Sequence, residues 1–146
     1  MKVLADNKKA LFEYEITDRL EAGVILTGQE VKSIKSGNIN LKGSYVVAKQ
    51  GEIYLIGCHI PPHQPKNVED YLPERSRKLL LKRREVDRLI GISKEKGLTL
   101  IPLKVYTRRG LVKIEVGVAR GKKRFDKRES IKKRDIDRDI RRSLKG

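Results

Sequence analysis

The last 27 residues of this chain, 120–146, cannot help to build a core. They carry 13 Lys and Arg against 5 Asp and Glu, and their large apolar residues are limited to Phe125, Ile131, Ile136, Ile140 and Leu144. So few apolar side chains cannot offset the roughly 1–2 kcal/mol of backbone entropy lost per ordered residue. Any folded body must therefore come from the first 119 residues, which hold 22 basic and 14 acidic side chains. Each part has a net charge of +8, spread over 119 residues in one and packed into 27 in the other. Two regions follow: a folded domain over 1–120 and a basic tail over 121–146.

A chain of 146 residues with 38% hydrophobic content supports one modest core. The total charge of +16 is costly to hold on a compact body unless a polyanion neutralises it. Nucleic acid is the first candidate and an anionic membrane surface the second. No apolar run approaches the roughly 20 residues needed to span a bilayer, and "MKVLADNKKALFEYEI" lacks the apolar core of a secretory signal. Cys58 is the single cysteine, which excludes an internal disulfide framework and fits a reducing cytoplasm. The expectation is a soluble cytoplasmic protein with no membrane association.

Periodicity gives the body a mainly β character. "ALFEYEITD" (10–18) alternates Phe12, Tyr14 and Ile16 with polar neighbours, the pattern of a strand with one wet face. "LEAGVILT" (20–27) reads as a second strand, with Gly23 marking a bulge or a close backbone approach. Val31 and Ile34 have helical spacing between two glycines, which predicts a short helix over 28–36. "NLKGSYVVAK" (40–49) and "EIYLIGCHI" (52–60) read as strands joined by a Gln50–Gly51 hairpin turn. Residues 61–73 hold four of the five prolines and read as an irregular loop. The stripe of Leu79, Leu80, Val86, Leu89 and Ile90 predicts a basic helix over 74–96, stopped by Gly97. Such a stripe suits packing on a barrel, a reading placed ahead of a membrane-surface helix and of a direct RNA contact. "LTLIPLKVYT" and "LVKIEVGVA" flank a second hairpin at 108–110, and Pro102 places a bulge or an edge in the first of them. About six short antiparallel strands with flanking helices predict a closed, OB-like β-barrel, since closure removes exposed edges.

The tail has its own period. Ile136, Ile140 and Leu144 recur every four residues. Asp137–Arg141, Asp135–Arg138 and Asp139–Arg142 can pair along a helix for roughly 0.2–0.5 kcal/mol each. A helix under about 15 residues stays marginal in water with that support. The tail is expected to be disordered when free and helical once a surface receives it.

No catalytic constellation stands out. Cys58, His59 and His63 are close in sequence, but a zinc site needs a fourth ligand and no further Cys or His exists. Along a strand Cys58 and His59 also face opposite ways. GxSxG, Walker-type glycine loops and HExxH are absent, so neither enzymatic activity, a metal nor a cofactor is expected. Lys and Arg against phosphates would supply salt-dependent affinity. Seven aromatics are few for base stacking. Tyr45 and Tyr54, on hairpin partners, could serve either a stacking surface or the core, and structured RNA read by shape fits better than base-by-base readout.

Four segments carry a resemblance. "NKKALFEYEI", "EAGVILTGQEVKSIKSGNINLKGSYV", "RKLLLKRREVDRL" and "VGVARGKKRFDKRESIKKRD" closely resemble the small protein B, or SsrA-binding, family over about Asn7 to Asp135. The resemblance implies an oligonucleotide-binding barrel that binds the tRNA-like domain of transfer-messenger RNA in bacterial trans-translation. It implies entry with that RNA and elongation factor Tu into stalled ribosomes, the tail probing the empty mRNA channel of the 16S rRNA near the decoding centre. By position, Asn7, Lys8, Glu21, Leu80 and Lys113 match residues that contact or organise the RNA. Gly121, Lys122 and Lys123 match the family's "GKK", and Asp126, Lys127 and Arg128 its "DKR" at the tail's entry to the decoding region. In this setting Lys132, Lys133, Arg134, Arg138, Arg141 and Arg142 would contact phosphates, with Ile136 and Ile140 on the apolar stripe. Composition alone would also allow a ribosomal or ribosome-assembly RNA-binding protein.

Overall fold

Six strands close into a ring and a seventh lies along one of them. The computed structural model describes residues 1–64 and 70–121. In chain order the elements are β1 (Lys2–Asp6), α1 (Lys8–Glu13), β2 (Tyr14–Val24), α2 (Gly28–Lys35), β3 (Tyr45–Lys49), β4 (Glu52–Ile56), β5 (Arg77–Leu80), α3 (Arg83–Ser93), β6 (Leu98–Arg108) and β7 (Leu111–Gly121). Around the ring the order is β6, β3, β4, β5, β2, β7 and back to β6, while β1 pairs with the second half of β6. All pairings are antiparallel. The ring is the closed barrel that the sequence predicts, and β1 is an addition that its pattern did not reveal.

Alternation decides which face each strand buries. Leu20 and Ala22 of β2, Ile53 and Leu55 of β4, and Ile114, Val116 and Val118 of β7 turn into the ring. Residues between them, such as Arg19, Glu21, Lys113 and Glu115, turn outward. Both predicted hairpins are present. Gln50 and Gly51 (φ 53° and 77°) and Arg109 and Gly110 (φ 54° and 79°) are left-handed at both central positions. That geometry matches the twist of the flanking strands.

Three expectations are corrected. The strand predicted over 10–18 begins instead as helix α1, because Asn7 caps it and Ala10 anchors it. The Asn7 Oδ1 accepts the Ala10 N–H at 3.3 Å, and Ala10 is buried with Ile101, Leu103 and Ala119 in a small outer cluster. A helix of six residues is too short for its period to outweigh the alternation that follows it. From Tyr14 the two predicted strands run on as one, β2. The helix predicted over 74–96 is strand β5 followed by α3. Its leucine stripe is real only from Val86 onward, where Val86 and Leu89 enter the core. Upstream, Arg77 and Leu79 are buried two residues apart, which is strand spacing. A charged residue at an inner position disguised that alternation. The strands predicted over 40–49 and 52–60 are shorter than expected, although an isolated Asn40–His59 bridge continues their pairing. Pro102 lies at the register shift between β6 and β7, the bulge its ring demands.

The β6–β7 pair is packed on both faces, which leaves Gly117 no room for a side chain. A Cβ there would lie 2.6 Å from Cδ1 and 3.0 Å from Cγ of the fully buried Leu103. Gly117→Val is expected to cost about 1–3 kcal/mol through overpacking, read as a lower urea midpoint at unchanged slope. A midpoint equal to that of wild type would show that Leu103 can yield.

Candidate nucleic-acid interface

Three of the five barrel residues singled out in the sequence meet on the outer face of β5, β2 and β7. Gly23 of β2 pairs with Leu80 of β5 on one side and with Lys113 of β7 on the other. The missing side chain at Gly23 is what lets Leu80 lie across the strand: a Cβ there would stand 3.4 Å from the Leu80 Cβ. Leu80 is left half exposed, an apolar step on a charged surface. Lys113 is half-buried, and its side chain has no hydrogen-bond or ion-pair partner among the described residues.

Glu21 stands two residues before Gly23 and is directly opposite Glu115. Like charges in that relation destabilise a sheet unless each is compensated. Here each has its own donors. Arg19 Nη1 reaches Glu115 Oε1 at 3.1 Å. The Tyr106 hydroxyl donates to Glu21 Oε2 at 2.5 Å, and Arg108 Nη2 lies 3.4 Å from the same oxygen. The Arg108 guanidinium also sits 5.9 Å from the centre of the Tyr106 ring, within cation–π range. Burial and the Glu21 carboxylate both raise the Tyr106 pKa, so its hydroxyl stays a donor at neutral pH.

Asn7 and Lys8 open α1, beside the bulge of β6. Asn7 is buried: its Nδ2 donates to the Pro102 carbonyl at 3.0 Å, and its backbone N–H to that of Leu103 at 2.9 Å. These bonds tie the start of α1 to β6. Lys8 is exposed. Gly121, placed with the tail from sequence, is the last residue of β7 and pairs with Tyr14. The remaining tail residues, Lys122 to Arg142, lie outside the described residues.

A buried network holds β5 in place. Glu30 of α2, 1% exposed, accepts the Thr27 backbone N–H at 2.9 Å, Arg75 Nη2 at 2.6 Å and the Nε of Arg75 and of Arg77, both at 2.9 Å. Arg77 also donates to the carbonyls of Cys58 and Pro73, each at 2.9 Å. Burial pushes the Glu30 carboxyl up, but its hydrogen bonds to Arg75, Thr27 and Arg77 prevail and hold it below its ordinary value. The Cys58 thiol is buried and pushed up to about 11. His59 turns the other way and meets Glu74 at 3.1 Å. Tyr45 is exposed and Tyr54 half-buried, so neither joins the core.

Tyr106 and Arg108 were not among the residues picked out from sequence, although a signal was present. The Arg109–Gly110 turn fixes the register, and a two-residue turn there necessarily pairs Tyr106 with Lys113. The buried pair Glu30–Arg77 had no such local signal, because its members are 47 residues apart.

Residues 4–146 match the family model described as SmpB protein. A protein named SsrA-binding protein from Acetivibrio thermocellus is 51% identical over 144 residues, covering 99% of this chain and 94% of that protein. SsrA-binding proteins from Desulfitobacterium hafniense and Geobacillus kaustophilus are 50% and 49% identical, each over 99% of this chain and 93% of the relative. Among solved structures, a chain from work described as "tmRNA-SmpB: a journey to the center of the bacterial ribosome" is 40% identical. It superposes with a TM-score of 0.71, covering 91% of this chain and 96% of that one.

Proposed function

Because the chain belongs to the SmpB protein family, we propose that it binds transfer-messenger RNA and serves trans-translation on stalled ribosomes. The observation that carries this is kinship along the whole length: about half of all positions are identical over 99% of the chain. A shared barrel alone would not transfer an RNA partner; identity of that extent in SsrA-binding proteins does. The protein performs no chemistry of its own. It supplies a binding surface, and its partners are the RNA and the ribosome.

The finer assignment follows the arrangement of the barrel. The tRNA-like domain meets the outer face of β5, β2 and β7, where Leu80, Glu21 and Lys113 offer apolar contact, an acceptor and a cation. Asn7 fixes the start of α1 beside it, and Lys8 adds charge. The tail enters the mRNA channel of the 16S rRNA, its cations neutralised by phosphates. Elongation factor Tu joins through the shared RNA, and the work is done in the cytoplasm. Among the described residues no helix is long and apolar enough to cross a membrane.

Capture of RNA from a bacterial lysate at high salt, followed by sequencing, tests the reading. One dominant RNA with a tRNA-like end and a short reading frame is expected. Fragments of bulk rRNA without that species would instead favour a ribosomal or ribosome-assembly protein.

A further inference from the structure

A carboxylate is an odd group to place at the centre of a surface that meets a polyanion. On a chain of net charge +16, Glu21 repels phosphates, and its position is not loose. We propose that Tyr106 is a positioning residue for RNA recognition: with Arg108 it fixes Glu21 Oε2, so that Oε1 faces one hydrogen-bond donor of the RNA, an exocyclic amine or a ribose 2′-hydroxyl. The inference rests on the RNA-binding function proposed above.

The geometry limits what Glu21 can do. Oε2 is occupied by the Tyr106 hydroxyl at 2.5 Å and Arg108 at 3.4 Å. The hydroxyl donates to one acceptor site of that oxygen, and the Arg108 charge stands beside it as an ion pair. Among the described residues nothing hydrogen-bonds Oε1, and the side chain is 35% exposed. A two-point pairing with a guanine edge would need both oxygens free, whereas Tyr106 holds Oε2 and leaves Oε1 as the unengaged acceptor. Tyr106 cannot drift, because the residue is 5% exposed and its ring lies under the Arg108 guanidinium. Beside the acceptor, Leu80 lies over Gly23 and the Lys113 side chain has no described partner. Together they offer one nucleoside an apolar wall, a phosphate cation and a fixed acceptor. Since phosphates have no donors, the acceptor distinguishes a correctly placed nucleoside from any stretch of backbone.

The test is a double-mutant cycle on binding to full-length transfer-messenger RNA. Tyr106→Phe keeps the ring and is expected to weaken binding about tenfold, the equivalent of one hydrogen bond to a charged group. Glu21→Gln should weaken it comparably, because an amide cannot accept from both Tyr106 and the RNA. Tyr106→Phe in the Glu21→Gln background should add nothing. Single 2′-deoxy and single deaminated nucleotides across the tRNA-like domain then identify the donor: one should cost wild type about fivefold to tenfold and cost Glu21→Gln nothing. Equal losses from Tyr106→Phe in both backgrounds, or no nucleotide that separates wild type from Glu21→Gln, would overturn the inference. Failure of wild type to bind this RNA would overturn the proposed function as well; wild-type binding with undiminished Tyr106→Phe binding overturns the positioning role alone.

Discussion

Glu30→Ala is expected to remove about 3–5 kcal/mol of stability, the cost of stripping one partner from a buried ion pair. Arg77 is fully buried, and the loss of Glu30 leaves its charge with neutral partners such as the Cys58 and Pro73 carbonyls. The loss corresponds to a fall of roughly 10–20 °C in Tm for a domain of this size. Replacing both partners, as in Glu30→Leu with Arg77→Met, should cost much less, since no charge is then left buried without its counterpart. Thermal or urea denaturation measures both, and a loss below about 1 kcal/mol in the single variant would mean that water reaches Arg77. Acid provides a second reading. The folded-state pKa of Glu30 is depressed, so its contribution is present above the ordinary carboxylate pKa and is lost as the pH falls through the folded value. Asp18 acts in the same direction through its hydrogen bonds to Arg88 and to the Arg19 backbone N–H. Wild type should therefore lose stability below about pH 4.5, and Glu30→Gln should show a flatter dependence there.

A second large effect is expected from the tail, and it should leave RNA binding untouched. Asp126→Ala combined with Lys127→Ala should bind transfer-messenger RNA within about twofold of wild type, less than 0.5 kcal/mol. In a reconstituted system stalled on a message without a stop codon, tagging should fall at least tenfold. Charge-assisted contacts are worth about 1.5–3 kcal/mol each. Glu21→Ala and Lys113→Ala should do the reverse and weaken RNA binding first. The motivation is compositional: the tail over 121–146 has 12 basic against 5 acidic side chains, a net +7 segregated from the barrel that contains Glu21 and Lys113. A tail variant that abolished RNA binding in a gel shift would end this division of labour.

What the sequence made legible was local. The turns at Gln50–Gly51 and Arg109–Gly110 were readable because two adjacent residues set a left-handed backbone and with it the register. The helix over Gly28–Lys35 was readable from its apolar spacing. Strand β5 was not, because an arginine at an inner position has meaning only once Glu30 arrives from 47 residues away. Helix α1 was hidden for a related reason, since Asn7 is held by the carbonyls of Pro102 and Leu103, almost a hundred residues downstream. In the interface, Leu80, Glu21 and Lys113 came from resemblance. Their convergence at Gly23 is a consequence of strand order, which no single segment encodes.

The seclusion of Cys58 turns the molecule into its own recorder. The thiol is fully buried and protonated at neutral pH, and the carbonyl of the same residue accepts from Arg77. A thiol reagent can react only after that corner has opened, so slow labelling counts openings of the Glu30–Arg77 network without any probe being added. Under conditions where reclosing outpaces the reagent, the labelling rate reports the free energy of that opening. The one cysteine of the chain thereby dates how often the wall carrying Leu80 comes apart from the helix that braces it.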